Sequence, residues 1–335
     1  MSLVYFKEDC WPILKALLAK ERAMILCDSN TKMCLELLYK VCPETKSLSV
    51  LEILAGEENK KLSTCEKVWA EMIEQGADRN TVLLNLGGGV VTDLGGFVAS
   101  TYMRGIRFVQ IPTSLLGMVD AAIGGKTGVD FGGLKNMIGT FAGAEAVLID
   151  SKFLDTLPPR HYQNGLAEVL KHAFISDKTI LDLIDGKKDE LISRSVQVKM
   201  DVVKRDEFEK GERKKLNFGH TIGHAIESHL LDSENPVLHG EAIAAGMIME
   251  TWISQSVGLS VYEFKSITST VDSVFSRIFL SEDDCKSVKK LLVYDKKNRD
   301  GNVQFVLLNG IADVVIDQSV SEELLDEAFN FYTAL

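Results

Sequence analysis

No stretch of this 335-residue chain approaches the roughly eighteen uncharged apolar residues of a membrane-spanning helix. The opening MSLVYFKEDCWPILK has no basic segment followed by an apolar one, so it does not read as a secretory signal peptide. Positive charge is in deficit. Against 48 Asp and Glu stand 37 Lys and Arg, a formal net charge of −11. Such a chain repels nucleic acid and anionic membrane surfaces, although a local basic cluster can still hold a small anion. The six cysteines include no C-x-x-C pair, and five fall in the first 65 residues. They read as reduced, mostly buried thiols of a cytoplasmic protein. Internal repeats and low-complexity tracts are absent. What remains, 46% apolar and 25% charged residues, is the profile of a soluble globular protein long enough for one large or two ordinary domains.

The first half alternates strand and helix signals. AMILC (23–27), SLSVLEIL (47–54), TVLLNL (81–86), IRFVQIPT (106–113) and AVLID (146–150) read as strands. Helical patterns such as STCEKVWAEMIEQG and VVTDLGGFVASTY lie between them. That alternation predicts a doubly wound, mainly parallel sheet. Beyond about residue 150 long amphipathic patterns take over: NGLAEVLKHAFIS, TILDLIDGKKDELISRSVQVKMDVVKRDEFE, HGEAIAAGMIMETWISQSVG and SEELLDEAFNFYTA. A two-strand piece, 303–316, interrupts them. The expected organisation is an α/β domain over 1–151 and a mainly helical domain over 152–335.

Several segments carry chemistry. LNLGGGVVTDLGGF places three glycines between a strand and a helix, where backbone amides can approach a pyrophosphate. It departs from G-x-G-x-x-G at Thr92, and a tight strand–helix turn explains it equally well. DAAIGGKTGVDFGGLKNMIG (120–139) sets Lys126 and Lys135 among glycines, with Asp120 and Asn136 towards its ends. It reads as a long glycine-rich loop able to wrap an anion, or as a merely solvated one. GLAEVLKHA puts Glu168, Lys171 and His172 on one face of an otherwise apolar helix, as a surface ion pair or as part of a buried site.

Histidine is scarce, six in all, yet four lie within NFGHTIGHAIESHLL and VLHGEAIAAGM. His220 and His224, four apart, would project from one helix face. With His239 and Glu168 they offer a two-histidine, one-carboxylate set typical of catalytic zinc, leaving His224 for acid–base work or anion binding. The bases Arg104, Lys126, Lys135, Lys171, Lys199, Arg213 and Lys297 lie in or beside these segments. Each alone reads as solvated, but converging they would bind a doubly anionic substrate. Arg213, seven residues before His220, is close enough for one helix to present both.

Taken in order, GGGVVTDLGGFVAS, YMRGI, IPTSLLGMVDAAIGGKTGVD, KNMIG, LPPRHYQNGLAEVLKHA, NFGHTIGHAIE, HGEAIAAGM and DKKNRDGNVQFVLL resemble the 3-dehydroquinate synthases of the sugar-phosphate cyclase family. The resemblance spans residue 56 to about 308, and the first fifty residues match only weakly. It implies a Rossmann-like NAD-binding domain, a helical metal-binding domain and an active site in the cleft between them. It also implies Glu168, His220 and His239 as ligands of zinc (cobalt possible) and His224 as a catalytic or substrate-binding residue; His229 has no counterpart in the family's motifs and reads as structural. For NAD it implies Gly88, Gly89, Asp93, Thr113 and Ser114, with Glu57 and Lys60 towards the adenosine end. Asp120, Lys126, Lys135, Phe153 and Thr156 complete that set. Asp120, Lys126, Asn136, Lys171, Lys199, Arg213, Asn217 and Lys297 would line the substrate site. Arg104 would reach the phosphate from a neighbouring subunit, implying a homodimer.

Ser114, Met118, Ala121, Ala122 and His161 depart from the family's usual residues, which bears on fine cofactor contacts. The implied reaction turns a seven-carbon keto-acid sugar phosphate into a carbocycle. It proceeds by transient NAD-dependent oxidation, phosphate elimination, re-reduction and aldol closure. A sister cyclase acting on another sugar phosphate, or an NAD- and metal-dependent polyol dehydrogenase, would share much of this pattern.

Overall fold

Short runs of apolar residues set up the first half of the fold. β2 (Ala23–Asp28), β4 (Val82–Gly87) and β5 (Phe108–Pro112) are buried at every position, as central strands of a parallel sheet covered on both faces must be. β1 (Leu3–Phe6) and β3 (Ser49–Ile53) expose residues, as edges do, and β8 (Ala146–Ile149) lies between β1 and β5. The order is β1-β8-β5-β4-β2-β3, with every pairing parallel. The connecting helices are α1 (Cys10–Leu18), α2 (Cys34–Val41), α3 (Leu62–Glu74) and α4 (Gly89–Thr101). The computed structural model describes residues 2–231, 233–292 and 303–334. It divides into two units, Met1–Tyr162 and Gln163–Leu335.

The expected parallel sheet is present, with two differences. β1 carries no strong strand signal by itself and is held by pairing with β8, from Leu3 opposite Ala146 to Phe6 opposite Ile149. The stretch read as a long glycine-rich loop is instead a hairpin, β6 (Lys126–Phe131) and β7 (Leu134–Phe141). Phe131 pairs with Leu134 across Gly132 and Gly133, whose φ of 63° and 76° suit a two-residue turn of the type that matches strand twist. Helix α4 comes close to its neighbours through glycine: a Cβ on Gly95 would stand 2.2 Å from Asn85 Oδ1, and one on Gly96 2.5 Å from Thr127.

The second unit is mainly helical, as expected. α5 (Pro159–Ile175) starts before the division and continues into it. α6 (Lys188–Arg205), α7 (His220–Leu230), α8 (His239–Ser254), α9 (Val261–Val274), α10 (Glu282–Leu292) and α11 (Glu322–Thr333) follow. β9 (Gln304–Gly310) and β10 (Asp313–Ser319) form an antiparallel hairpin close to the expected position. The six cysteines, all described, are free thiols, five of them buried.

Candidate functional site

Helices α7 and α8 run antiparallel with their backbones touching. A Cβ on Gly246 would lie 2.0 Å from the Gly219 carbonyl oxygen, and one on Gly223 3.0 Å from the Ala242 carbonyl oxygen. This contact brings three imidazoles together: ring centroids of His220 lie 5.0 Å from His224 and 5.6 Å from His239. Glu168 on α5 completes the cluster, fully buried, with Oε1 3.3 Å from His220 Nε2 and 3.4 Å from His239 Nε2.

The outward nitrogens are fixed. His220 Nδ1 donates to the Phe218 carbonyl at 3.1 Å, and His239 Nδ1 to the Glu227 carboxylate at 3.1 Å. In the neutral rings each Nε2 lone pair therefore faces Glu168, whose buried Oε1 makes no hydrogen bond of good geometry. A tetrahedral ion at about 2.0–2.1 Å from each donor requires donor–donor edges of about 3.3–3.4 Å. Both separations from Glu168 match, and ring nitrogens of His220 and His239 lie within 4.8 Å of each other, so the donor set fits such an ion.

Electrostatics act on the three groups in different senses. Burial opposes charge on Glu168, but the Lys171 ammonium and the two imidazoles hold its carboxyl well below the usual carboxylate range. Lys171 is itself buried and ion-paired to Glu168. Burial, aided by Lys171, pushes His220 down to about 4. At His239 burial works against charge, yet the carboxylates of Glu227 and Glu168 outweigh it and raise the ring to about 9. His172, one residue beyond Lys171, shares a 2.7 Å hydrogen bond with Ser195 on α6, and a ring nitrogen of it lies within 4.8 Å of a Glu168 oxygen.

Lys199 and Arg213 are buried in the same unit. The expectation that one helix presents both Arg213 and His220 is not met. Arg213 sits in a separate 3-10 turn, Glu212–Asn217, and Gly219, at φ +78°, reverses the chain before α7 begins. The loop ahead of Arg213 is organised by Asp206, whose carboxylate accepts from the backbone N–H groups of Lys210, Gly211 and Arg213 at 2.7–3.0 Å. The Arg213 guanidinium donates to the Glu207 carbonyl, and Asn217 donates to Glu209 at 2.6 Å. Lys297 lies outside the described residues.

In the first unit the GGG turn occupies the C-terminal end of β4. Sheet order reverses between β4 and β2, the crevice where open α/β sheets take ligands. Gly88 precedes the thirteen-residue α4, and no side chain caps that helix, so its first N–H groups point to an anion-compatible end. A Cβ on Gly88 would come within 3.2 Å of Ser114 Oγ, and Thr113 is buried and donates its N–H to the Gly87 carbonyl at 2.9 Å. This turn fits a dinucleotide.

Around it, buried Lys60 donates to Asp93 at 2.6 Å and Asn136 at 2.7 Å, while Lys135 pairs with Glu57 at 2.8 Å. Burial disfavours the Lys60 ammonium, but Asp93, Glu57 and Asp130 outweigh it and raise its pKa. Asp120 is half-buried in the turn Gly117–Ala121, and Lys126 is exposed at the start of β6. Phe153 is buried edge-on to Trp11, and Thr156 lies 3.8 Å from the Cys34 sulfur. Arg104 is exposed in a strained turn, with Met103, Arg104 and Gly105 at φ of 49°, 72° and 111°.

The sequence models of the 3-dehydroquinate synthase N-terminal and C-terminal domains match residues 50–164 and 165–298. A 3-dehydroquinate synthase of Parabacteroides distasonis is 39% identical over 323 residues, covering 93% of this chain and 91% of the relative. One from Streptococcus pneumoniae is 42% identical over 293 residues, covering 83% and 81%. The chain belongs to the 3-dehydroquinate synthase family.

Among solved structures, a 2-epi-5-epi-valiolone synthase from Streptomyces hygroscopicus, with NAD+ and Zn2+ bound, superposes with a TM-score of 0.84. It is 28% identical and covers 100% of this chain and 97% of its own. A probable glycerol dehydrogenase from Sinorhizobium meliloti, 18% identical with a TM-score of 0.63 and coverages of 99% and 96%, shares the fold.

Three residues of this family member escaped the sequence reading. Asn164 Oδ1 accepts from the Gly240 N–H beside His239, Glu227 holds the His239 ring, and fully buried Glu250 accepts from the N–H groups of Gly219 and Ile222. Signals existed. Glu250 is a carboxylate in the middle of the apolar run AIAAGMIMETWIS, and Glu227 lies two helical turns beyond His220.

Proposed function

We infer that this chain converts 3-deoxy-D-arabino-heptulosonate 7-phosphate to 3-dehydroquinate and phosphate, a step of the shikimate route to aromatic amino acids. The observation that carries this from the geometry is the cluster of buried Glu168 and His220 with half-buried His239, both rings at tetrahedral edge lengths from Glu168 beside an ammonium. In this reading those three residues hold a divalent metal, zinc or cobalt, and Gly88, Gly89, Asp93, Thr113, Ser114, Glu57 and Lys60 hold NAD. When bound, NAD takes and returns a hydride and the metal acts as a Lewis acid on the substrate alcohol.

The protein's own groups bind and orient. Lys126, Asn136, Lys297 and Arg104 would meet the substrate phosphate. Lys199 and Arg213 would meet the carboxylate, since each buried anion needs its own charge-assisted donors. Lys171 keeps Glu168 ionised, and His224 beside the triad would move or hold a proton. Phosphate leaves by elimination and the carbon chain closes by an intramolecular aldol step, with no net oxidation. In this reading Arg104 acts from a second subunit of a homodimer, which sedimentation tests. Among the described residues no helix is long and apolar enough to cross a membrane, and we place the enzyme in the cytoplasm.

The test is incubation with the heptulosonate phosphate, NAD and zinc, following phosphate release and NADH absorbance together. Many phosphates per NAD, with no accumulating NADH, are expected. NADH accumulating one-to-one with product would indicate a polyol dehydrogenase. Faster turnover of sedoheptulose 7-phosphate or glucose 6-phosphate would indicate a sister cyclase.

A further inference from the structure

We propose that Glu250 and Glu227 are reciprocal positioning residues, which set α7 against α8 and so hold His220 and His239 at ligand spacing before a metal enters. The inference rests on the metal reading above and concerns groups that touch neither metal nor substrate.

Glu250 is completely buried on α8, where an ionised carboxylate is tolerated only with strong partners. Its Oε2 accepts from Gly219 N–H at 2.6 Å and its Oε1 from Ile222 N–H at 3.1 Å. These are the orphan amides at the start of α7, which no side chain of α7 itself caps. Gly219 immediately precedes His220 and stands at φ +78°. The carboxylate therefore grips the peptide that aims the His220 ring, through short charge-assisted bonds.

At the opposite end of the pair the roles reverse. Glu227, buried on α7, holds His239 Nδ1 at 3.1 Å, and His239 is the first residue of α8. Each helix thus supplies a carboxylate that fastens the start of the other. Between the two fastenings Gly246 lies against Gly219 and Gly223 with no side chain to act as a cushion. Sliding either helix by a residue breaks both fastenings and the glycine contact together. The two histidines held in this way lie 3.3 and 3.4 Å from Glu168 Oε1 on α5.

The test compares zinc affinity of metal-stripped protein by competition with a chromogenic chelator, in wild type, Glu250→Gln, Glu227→Gln and Glu227→Leu. Glutamine at 250 keeps the volume but offers one carbonyl oxygen, and its NH2 would face an N–H donor. Glu250→Gln and Glu227→Leu should bind zinc about 10–100-fold more weakly, the usual effect of removing an outer partner of a ligand. Glu227→Gln, whose carbonyl can still accept from His239, should recover most of the affinity. NAD affinity, measured by calorimetry on the same samples, should be unchanged in all of them.

Circular dichroism checks folding. Should Glu250→Gln not fold, the Glu227 pair carries the test, because it leaves the α7 amides untouched. Wild-type zinc affinity in Glu250→Gln or Glu227→Leu overturns the inference, whatever the loss of thermal stability. Wild-type protein that binds no zinc, or binding that survives His220→Ala and His239→Ala, overturns the metal reading instead.

Discussion

Gly246→Ala is the sharpest probe of the α7–α8 contact, because two opposing effects are of known size. In a helix interior, alanine for glycine ordinarily stabilises by about 1 kcal/mol. Here the new methyl would stand 2.0 Å from the Gly219 carbonyl oxygen and 2.7 Å from the Gly223 nitrogen, both backbone atoms that no rotamer change can move. Reaching an ordinary contact requires the helices to part by about 1 Å or more. Overpacking of this kind costs about 1–3 kcal/mol, and a backbone-on-backbone clash belongs at the upper end.

The net expectation is a loss of about 2 kcal/mol, or a Tm lower by about 4–8 °C for a unit of this size. The same parting exceeds the roughly 0.2 Å tolerance of a metal site, so zinc affinity should fall by at least about tenfold. Scanning calorimetry of the metal-free variant and the chelator competition read these two effects. A Tm equal to or above wild type would mean that helix propensity wins and that the helices do not touch through Gly246.

Arg213→Ala should lower kcat/KM by about 2–4 kcal/mol, roughly 30–1000-fold, and by much less for an analogue lacking the carboxylate; equal losses on both would remove its carboxylate role. Lys60→Met, which leaves Asp93 beside Asn136 without its ammonium, should lower unfolding stability by about 2–3 kcal/mol in urea and weaken NAD binding. An unchanged urea midpoint would show the pair to be energetically idle. Hydrogen bonds from Ser281 and then the 2.7 Å contact with His229 lower Asp284 to about 2. Because the folded pKa lies below the ordinary 3.8, this contribution is complete above about pH 4 and is lost as pH falls towards 2. Asp284→Asn should therefore cost about 1 kcal/mol at neutral pH, discounted for partial exposure, and nothing near pH 2.

Much of the molecule was legible as a sequence. Apolar runs such as AMILC and TVLLNL, separated by helical periodicity, specify a parallel sheet because buried strands and their crossover helices leave different local periods. The histidine cluster was legible too, since His220 and His224 share a helix face and Glu168 sits on an apolar one. What local pattern cannot carry is pairing between distant residues. Leu3–Phe6 is a strand only because β8 lies beside it, more than 140 positions along the chain. The glycine-rich stretch read as a loop became a hairpin because Gly132 and Gly133 turn the chain and its strands satisfy one another, which composition does not reveal. Arg213 and His220 parted company at two residues, Phe218 with ψ 129° and Gly219 with φ +78°. Glu250 announced in the sequence that it was buried and needed partners. Only the packing of α8 on α7 decided that those partners are the amides beside His220, because hydrogen bonds are short and directional and depend on the final placement of both helices.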